Sequence, residues 1–197
     1  GSIATQEGVE PIIKDANARF LKGGFGGAGG ECPQMIPARV QTQIAPVKYT
    51  EHRIMEFAKK RGIMSRGKAE PGTDRPLRLR GKTNDLVFLS EPQVLEEFDF
   101  CNPGATGASA SQALRFEVPA KLASEAKDFS GFAMWTRLII DDDHAVEVRG
   151  QKVTSHWAYV VALMEDKPVP MVAPGSIELT ASVDYSSKPV RYTLEAT

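Results

Sequence analysis

Cysteine and histidine are scarce in this sequence, and neither sign of charge prevails. The 197 residues include 2 cysteines and 3 histidines. Cys32 and Cys101 stand far apart, with no CxxC or His-Cys spacing, and His52, His144 and His156 show no HxxxH spacing. A zinc site therefore has no ligand pattern to build on, and no metal is expected. The two cysteines read as free thiols, with a single disulfide as the alternative. Lys plus Arg number 24 against 25 Asp plus Glu, for a net charge of -1. Such a balance creates no global field for a polyanion or an anionic membrane, so no nucleic-acid partner is expected. Long hydrophobic runs are also missing: none approaches the roughly 20 residues that cross a bilayer. The N-terminus lacks a basic segment followed by an apolar one. No membrane partner is expected, and the cytoplasm is the expected location.

What is present is the composition of a globular protein, 42% hydrophobic and 25% charged, in a chain long enough for one large or two small domains. Val9, Ile12, Ile13, Ala16 and Phe20 recur at helical spacing, with Lys14, Asp15, Asn17 and Arg19 on the opposite face. This spacing predicts an amphipathic helix over residues 8–22, with Pro11 in its first turn. A glycine-rich run at 23–30 follows, then a strand-like stretch at 35–44. Ile54, Met55, Phe57 and Ala58 predict a second short helix over 49–61, ended by Gly62. Residues 65–80 are basic and broken by Gly67, Pro71, Gly72 and Pro76, which reads as an exposed excursion.

Beyond it, strands are expected at 86–89, 114–118, 132–140, 145–148, 157–163, 177–183 and 190–194. Residues 104–111 read as a small-residue loop, and 141–143 and 186–189 as hairpin tips. The expected fold is mainly β, an antiparallel barrel or sandwich with an N-terminal helix and a short inserted helical arm.

Few residues suggest chemistry by type and spacing alone. The glycines at 23–30 do not form a phosphate loop: they follow a helix and lead into a strand, without Gly-Lys-Ser/Thr or GxGxxG. Asp141, Asp142, Asp143 and His144 lack the spacing of a calcium loop and read as a solvated turn. Ser155, His156 and Trp157 open an otherwise apolar strand. Two readings stand for them: Trp157 in the core with His156 hydrogen-bonded locally, or a polar site. Adjacent strand residues point to opposite faces, which argues against a serine-histidine nucleophile.

Several motifs in order carry a family resemblance. Glu7 before the first helix, with Ala16, Arg19, Phe20 and Leu21 closing it, is similar to the segment with the second glutamate of the "double-E" loop in protein arginine methyltransferases. Leu21-Lys22, the glycines and Ile36-Pro37 resemble that family's passage into its first barrel strand, lengthened here by the glycine-rich insert. Gly131-Phe132-Ala133-Met134-Trp135 resembles its Gly-Phe-x-x-Trp strand, and Ser155-His156-Trp157 its Thr-His-Trp loop. Met164-Glu165-Asp166, Pro168-Val169 and residues 175–183 are similar to its closing hairpin.

The resemblance implies the C-terminal, substrate-side β-barrel half of an S-adenosylmethionine-dependent methyltransferase. Residues 1–34 would be the connecting helix and linker from a cofactor-binding domain that lies upstream, and 35–197 the substrate-binding and dimerisation barrel, with an arm at 48–85. Glu7 and His156 would be catalytic; Ser155 and Trp157 would bind the acceptor. S-adenosylmethionine would be held by the upstream domain, leaving no cofactor-binding residue here and the chain inactive alone. The acceptor would be a protein or a small molecule. The segment around Glu7 departs from the arginine enzymes in lacking aromatic and bulky residues, which keeps a small-molecule or carrier-tethered acceptor open. Ile54, Met55 and Phe57 on the arm would serve a homodimer contact. A non-catalytic β-rich interaction module is the alternative to an enzyme.

Overall fold

Side chains of period two dominate the chain after residue 35, and they build antiparallel sheets. The computed structural model describes residues 9–20, 35–49, 77–80, 86–101, 109–122, 129–147, 149, 158–163, 175–187 and 190–196. Helix α1 spans Val9–Phe20. The described strands are β1 Arg39–Tyr49, β2 Leu77–Arg80, β3 Leu86–Phe88, β4 Gln93–Asp99, β5 Ser109–Glu117, β6 Gly131–Ile139, β7 Ala145–Glu147, β8 Ala158–Leu163, β9 Ser176–Asp184 and β10 Arg191–Ala196. No described helix is long and apolar enough to cross a membrane.

The strands form a large sheet in the order β2-β8-β6-β1-β3, with β4 added on β1 and β7 on β6, and a small sheet in the order β10-β9-β5. The pairings among the described strands are antiparallel. Of the two expected architectures, the sandwich is the one that forms. Where a barrel would need a ladder between β4 and β5, glutamine side chains bridge instead. Gln112 Nε2 donates to Leu95 O at 2.6 Å, and Gln93 Nε2 donates to Arg115 O.

Between the sheets lies the main core, with Ile44, Leu89, Leu95, Phe116, Phe132, Met134, Val160, Ile177 and Leu179. A second cluster, Ala45, Val47, Leu86, Ala133, Trp135, Tyr159 and Val161, occupies the opposite face of the large sheet. The Gly-Phe-x-x-Trp spacing explains how β6 serves both. Phe132 and Trp135 are an odd number of residues apart, so a pleated strand sends one ring to each face. Gly131 begins that strand at φ 150, a backbone region almost restricted to glycine.

Two irregularities shape the large sheet. Pro46 lies within β1, where it lacks an N–H to give to a ladder. It falls where one edge of β1 changes partner, from β4 at Ile44 opposite Gln93 to β3 at Val47 opposite Phe88. Its carbonyl accepts from Leu89 N at 3.0 Å. In β4 the register shifts between Thr42 opposite Glu96 and Gln43 opposite Val94. The extra residue turns both Leu95 and Glu96 inward, at 5% and 6% exposure, as a bulge does.

Several expectations need correction. Ile12 does not share the buried helical face: it is 63% exposed. Val9 and Ile13, four residues apart, pack against the cluster of Val40, Phe98 and Phe100, joined by Met35 and Leu138. The expected helix over 49–61 cannot begin at Tyr49, which ends β1, and the rest of it lies outside the described residues. The excursion read over 65–80 gives way at its end to β2, four residues that pair with β8 from Leu77 opposite Val161 to Arg80 opposite Ala158. Residues 109–111, read as loop, belong to β5 because their backbone pairs with β9. The free-thiol reading fails at Cys101, which is disulfide-bonded. Disulfide formation depends on a Cα approach that sequence separation does not reveal. The other cysteine, Cys32, lies outside the described residues.

Candidate functional site

Glu7, Ser155, His156 and Trp157 all lie outside the described residues. The elements that follow them are described. Helix α1 begins at Val9 and rests through Val9 and Ile13 on the Val40–Phe98–Phe100 cluster, with Leu138 of β6 at its border. Strand β8 begins at Ala158 and runs against β6 with Val160 opposite Met134 and Ala162 opposite Phe132. That direction brings β8 into the sheet from the Leu138 side of β6. The first residues of α1 and β8 thus belong to one end of the large sheet.

Across the face turned away from the small sheet, strand register aligns a polar row. Glu97 of β4 lies opposite Gln41 of β1, Gln41 opposite Arg137 of β6, and Arg137 opposite Glu147 of β7. Cross-strand neighbours have Cβ atoms about 5 Å apart, close enough for their side chains to interact. Gln41 Nε2 donates to Glu97 Oε2, and Gln43 Nε2 donates to Gln41 Oε1 at 2.9 Å. Arg39 Nη1 lies 3.6 Å from Glu97 Oε1. Trp135 Nε1 donates to Glu147 Oε2 at 3.1 Å.

Aromatic rings adjoin this row. Trp135 meets Phe88 edge-on at 5.5 Å and Tyr159 at 5.5 Å. The Arg149 guanidinium stands 5.1 Å above the Phe88 ring, and its Nη1 lies 3.1 Å from Glu91 Oε2. A cation over an aromatic face is attracted by the ring's negative centre.

On the inner face, buried Glu96 joins the two sheets. Its Oε1 accepts from Thr42 Oγ1 at 2.6 Å and from the Tyr192 hydroxyl at 2.6 Å. Tyr192 belongs to β10 of the small sheet, so this polar contact fixes one sheet's position on the other.

The tip between β6 and β7 is the turn expected at 141–143. Asp141 Oδ1 accepts from the N–H groups of Asp143 at 2.9 Å and His144 at 2.8 Å, and His144 Nδ1 lies 2.7 Å from it. The His144 hydrogen bond, followed by that from the Asp143 N–H, holds the Asp141 carboxyl below the usual aspartate range. A depressed carboxyl stabilises the folded turn above its unfolded pKa, and that contribution disappears as pH falls through the lower folded value. In a carbon-detected NMR titration, Asp141 should therefore have a lower midpoint than the same residue in a short peptide of residues 139–146. Equal midpoints would contradict the capping geometry. Asp184 is held low in the same way at the β9–β10 turn, by the Ser186 hydroxyl at 2.6 Å and then the Ser186 N–H at 2.9 Å.

Among the described residues, no group of three or more His, Cys, Asp or Glu is arranged to hold a metal ion. The Glu97–Gln41–Arg137–Glu147 row escaped sequence reasoning because its members come from four separate strands. The available signal was alternation along β6, which puts Arg137 on the face of Trp135.

No family model matches the chain, and no curated protein sequence does. Among solved structures, the chain is similar to protein arginine methyltransferase 10 of Arabidopsis thaliana in an open conformation, at 13% identity and a TM-score of 0.49. The similarity covers 95% of this chain and 65% of that one. It is a distant likeness of fold.

Proposed function

We propose that this chain supplies the substrate-side β domain of an S-adenosylmethionine-dependent methyltransferase resembling the protein arginine methyltransferases. The supporting observation is the shared sheet end from which α1 and β8 start. Glu7 stands two residues before the start of α1, and Ser155-His156-Trp157 immediately precede β8 in sequence. Two elements distant in sequence thereby start at one end of the sheet, as a composite acceptor site requires.

S-adenosylmethionine, held by a separate cofactor domain, would supply the methyl group. Glu7 would accept paired N–H donors from the acceptor and hold its nucleophilic nitrogen in line with that group. His156 would orient the glutamate segment across the domain junction. Trp157 would form an aromatic wall beside a cationic acceptor, with Ser155 as its polar neighbour. Transfer forms one bond to the acceptor atom and breaks the sulfur–methyl bond. The proton leaving an amine or guanidinium acceptor would pass by way of the Glu7 carboxylate.

Reading the coding sequence upstream of residue 1 tests this proposal. A strand followed by a glycine-rich turn, an acidic residue beyond it and a glutamate shortly before Gly1 are expected. An upstream sequence without them would sink the enzyme reading in favour of the non-catalytic interaction module.

A further inference from the structure

We infer that the outer edge of β10 is a contact between two copies of this chain, in which each copy adds its β10 to the other in antiparallel pairing about a two-fold axis at Thr193. The inference is independent of the proposed methyl transfer and of the contact expected on the arm at 48–85. In the small sheet, β10 and β5 are the outer strands. The edge at β5 is bridged to β4: Gln112 Nε2 donates to Leu95 O, Gln93 Nε2 donates to Arg115 O, and Ser90 Oγ donates to Glu117 O at 2.7 Å. At β10, β9 is the one neighbouring strand among the described residues. A strand paired on one side presents half of its backbone N–H and C=O groups to the other side.

Edge strands are ordinarily guarded against association by lysine, proline, a bulge or an inward-pointing charge. Strand β10, Arg-Tyr-Thr-Leu-Glu-Ala, has none of these. Its register with β9 runs without a shift from Arg191 opposite Asp184 to Ala196 opposite Leu179. Tyr192, Leu194 and Ala196 pack toward the main core, while Arg191, Thr193 and Glu195 are exposed on the other face.

The order of side chains selects a second copy as the occupant. A two-fold axis at Thr193 sets residue 191 opposite 195 of the other copy, 192 opposite 194, and 193 opposite itself, as an isologous contact requires. Arg191 then meets the other copy's Glu195 twice, once on each side of the axis, and Tyr192 meets Leu194 twice. Opposite charges and aromatic-aliphatic pairs are the favourable cross-strand combinations. Among the described residues neither Arg191 nor Glu195 has an ion-pair partner. They cannot pair within one strand, because four residues of strand separate them by about 13 Å.

Sedimentation of the full chain over a range of concentrations, with two single substitutions, tests this contact. Arg191→Glu leaves two glutamates on the edge and Glu195→Arg leaves two arginines, so each variant meets its own copy with like charges. Both positions are exposed, and unchanged far-UV circular dichroism verifies the fold. We expect the parent to dimerise and each variant to associate about tenfold more weakly, two favourable pairs having become two repulsive ones. An equimolar mixture of the two variants restores opposite charges at both pairs and should recover the parent's association as a heterodimer. A parent that stays monomeric would overturn the inference, leaving the edge to a strand of some other protein. A dimer that neither substitution weakens, or weakened variants whose mixture recovers nothing, would overturn it as well.

Discussion

Replacing Trp135 with alanine is expected to cost about 4 kcal/mol of folding stability, within the range for deleting a buried aromatic side chain. Trp135 has 0% exposure and stands at the centre of the second core, against Phe88 and Tyr159. Truncation removes the ring from both neighbours and leaves a cavity that β-sheet backbone on either side cannot collapse to fill. It also withdraws the donor from Glu147. Trp135→Phe separates these effects, because it restores much of the ring but not the N–H. Its expected cost is about 1–2 kcal/mol, the range for losing a buried hydrogen bond with modest repacking. Urea unfolding should show both as lower midpoints at unchanged slope. A loss below about 1 kcal/mol for alanine would mean that the face away from the small sheet is not a consolidated core.

That second core also shows what sequence can and cannot disclose. Strands β9 and β10 were legible because regular alternation survives in them, and β6 and β8 because they are apolar runs bounded by turn residues. Residues 177, 179, 181 and 183 of β9 are buried while 178 and 180 are exposed. Strand β4 was hidden by its bulge: Leu95 and Glu96 face inward together, so the pattern has no period two. A Glu96-Glu97 pair then looks like surface, although Glu96 is buried among hydroxyl donors from β1 and β10. Strand β2 is four residues long and alternates leucine with arginine after a proline-broken basic stretch. Only its partner β8 makes it a strand. Helix α1 was legible in kind but not in orientation, since Ile12 and Ile13 differ by about 100° around the axis and only tertiary contact decides between them.

The same limit governs the sites. Glu7, Ser155, His156 and Trp157 were singled out through a family resemblance, and they lie outside the described residues. Arg137 carries no local motif. Its place in the polar row comes from three cross-strand registers. Such juxtapositions belong to the sheet and not to any contiguous stretch of chain.

Glu7 and His156 are proposed to act together in methyl transfer. The most direct measurement is the methyl-transfer rate of the chain joined to its proposed upstream cofactor domain. It would be assayed against arginine-bearing peptides and small metabolites, then repeated with Glu7→Gln and His156→Ala. Glu7→Gln keeps the side-chain shape but removes the charge proposed to hold and deprotonate the acceptor. We expect it to lower kcat/KM by about 100-fold or more, the lower bound for losing a positioned acid-base group. His156→Ala should lower the rate less, because its proposed task is to orient the glutamate segment. Turnover that neither substitution changes would contradict the account.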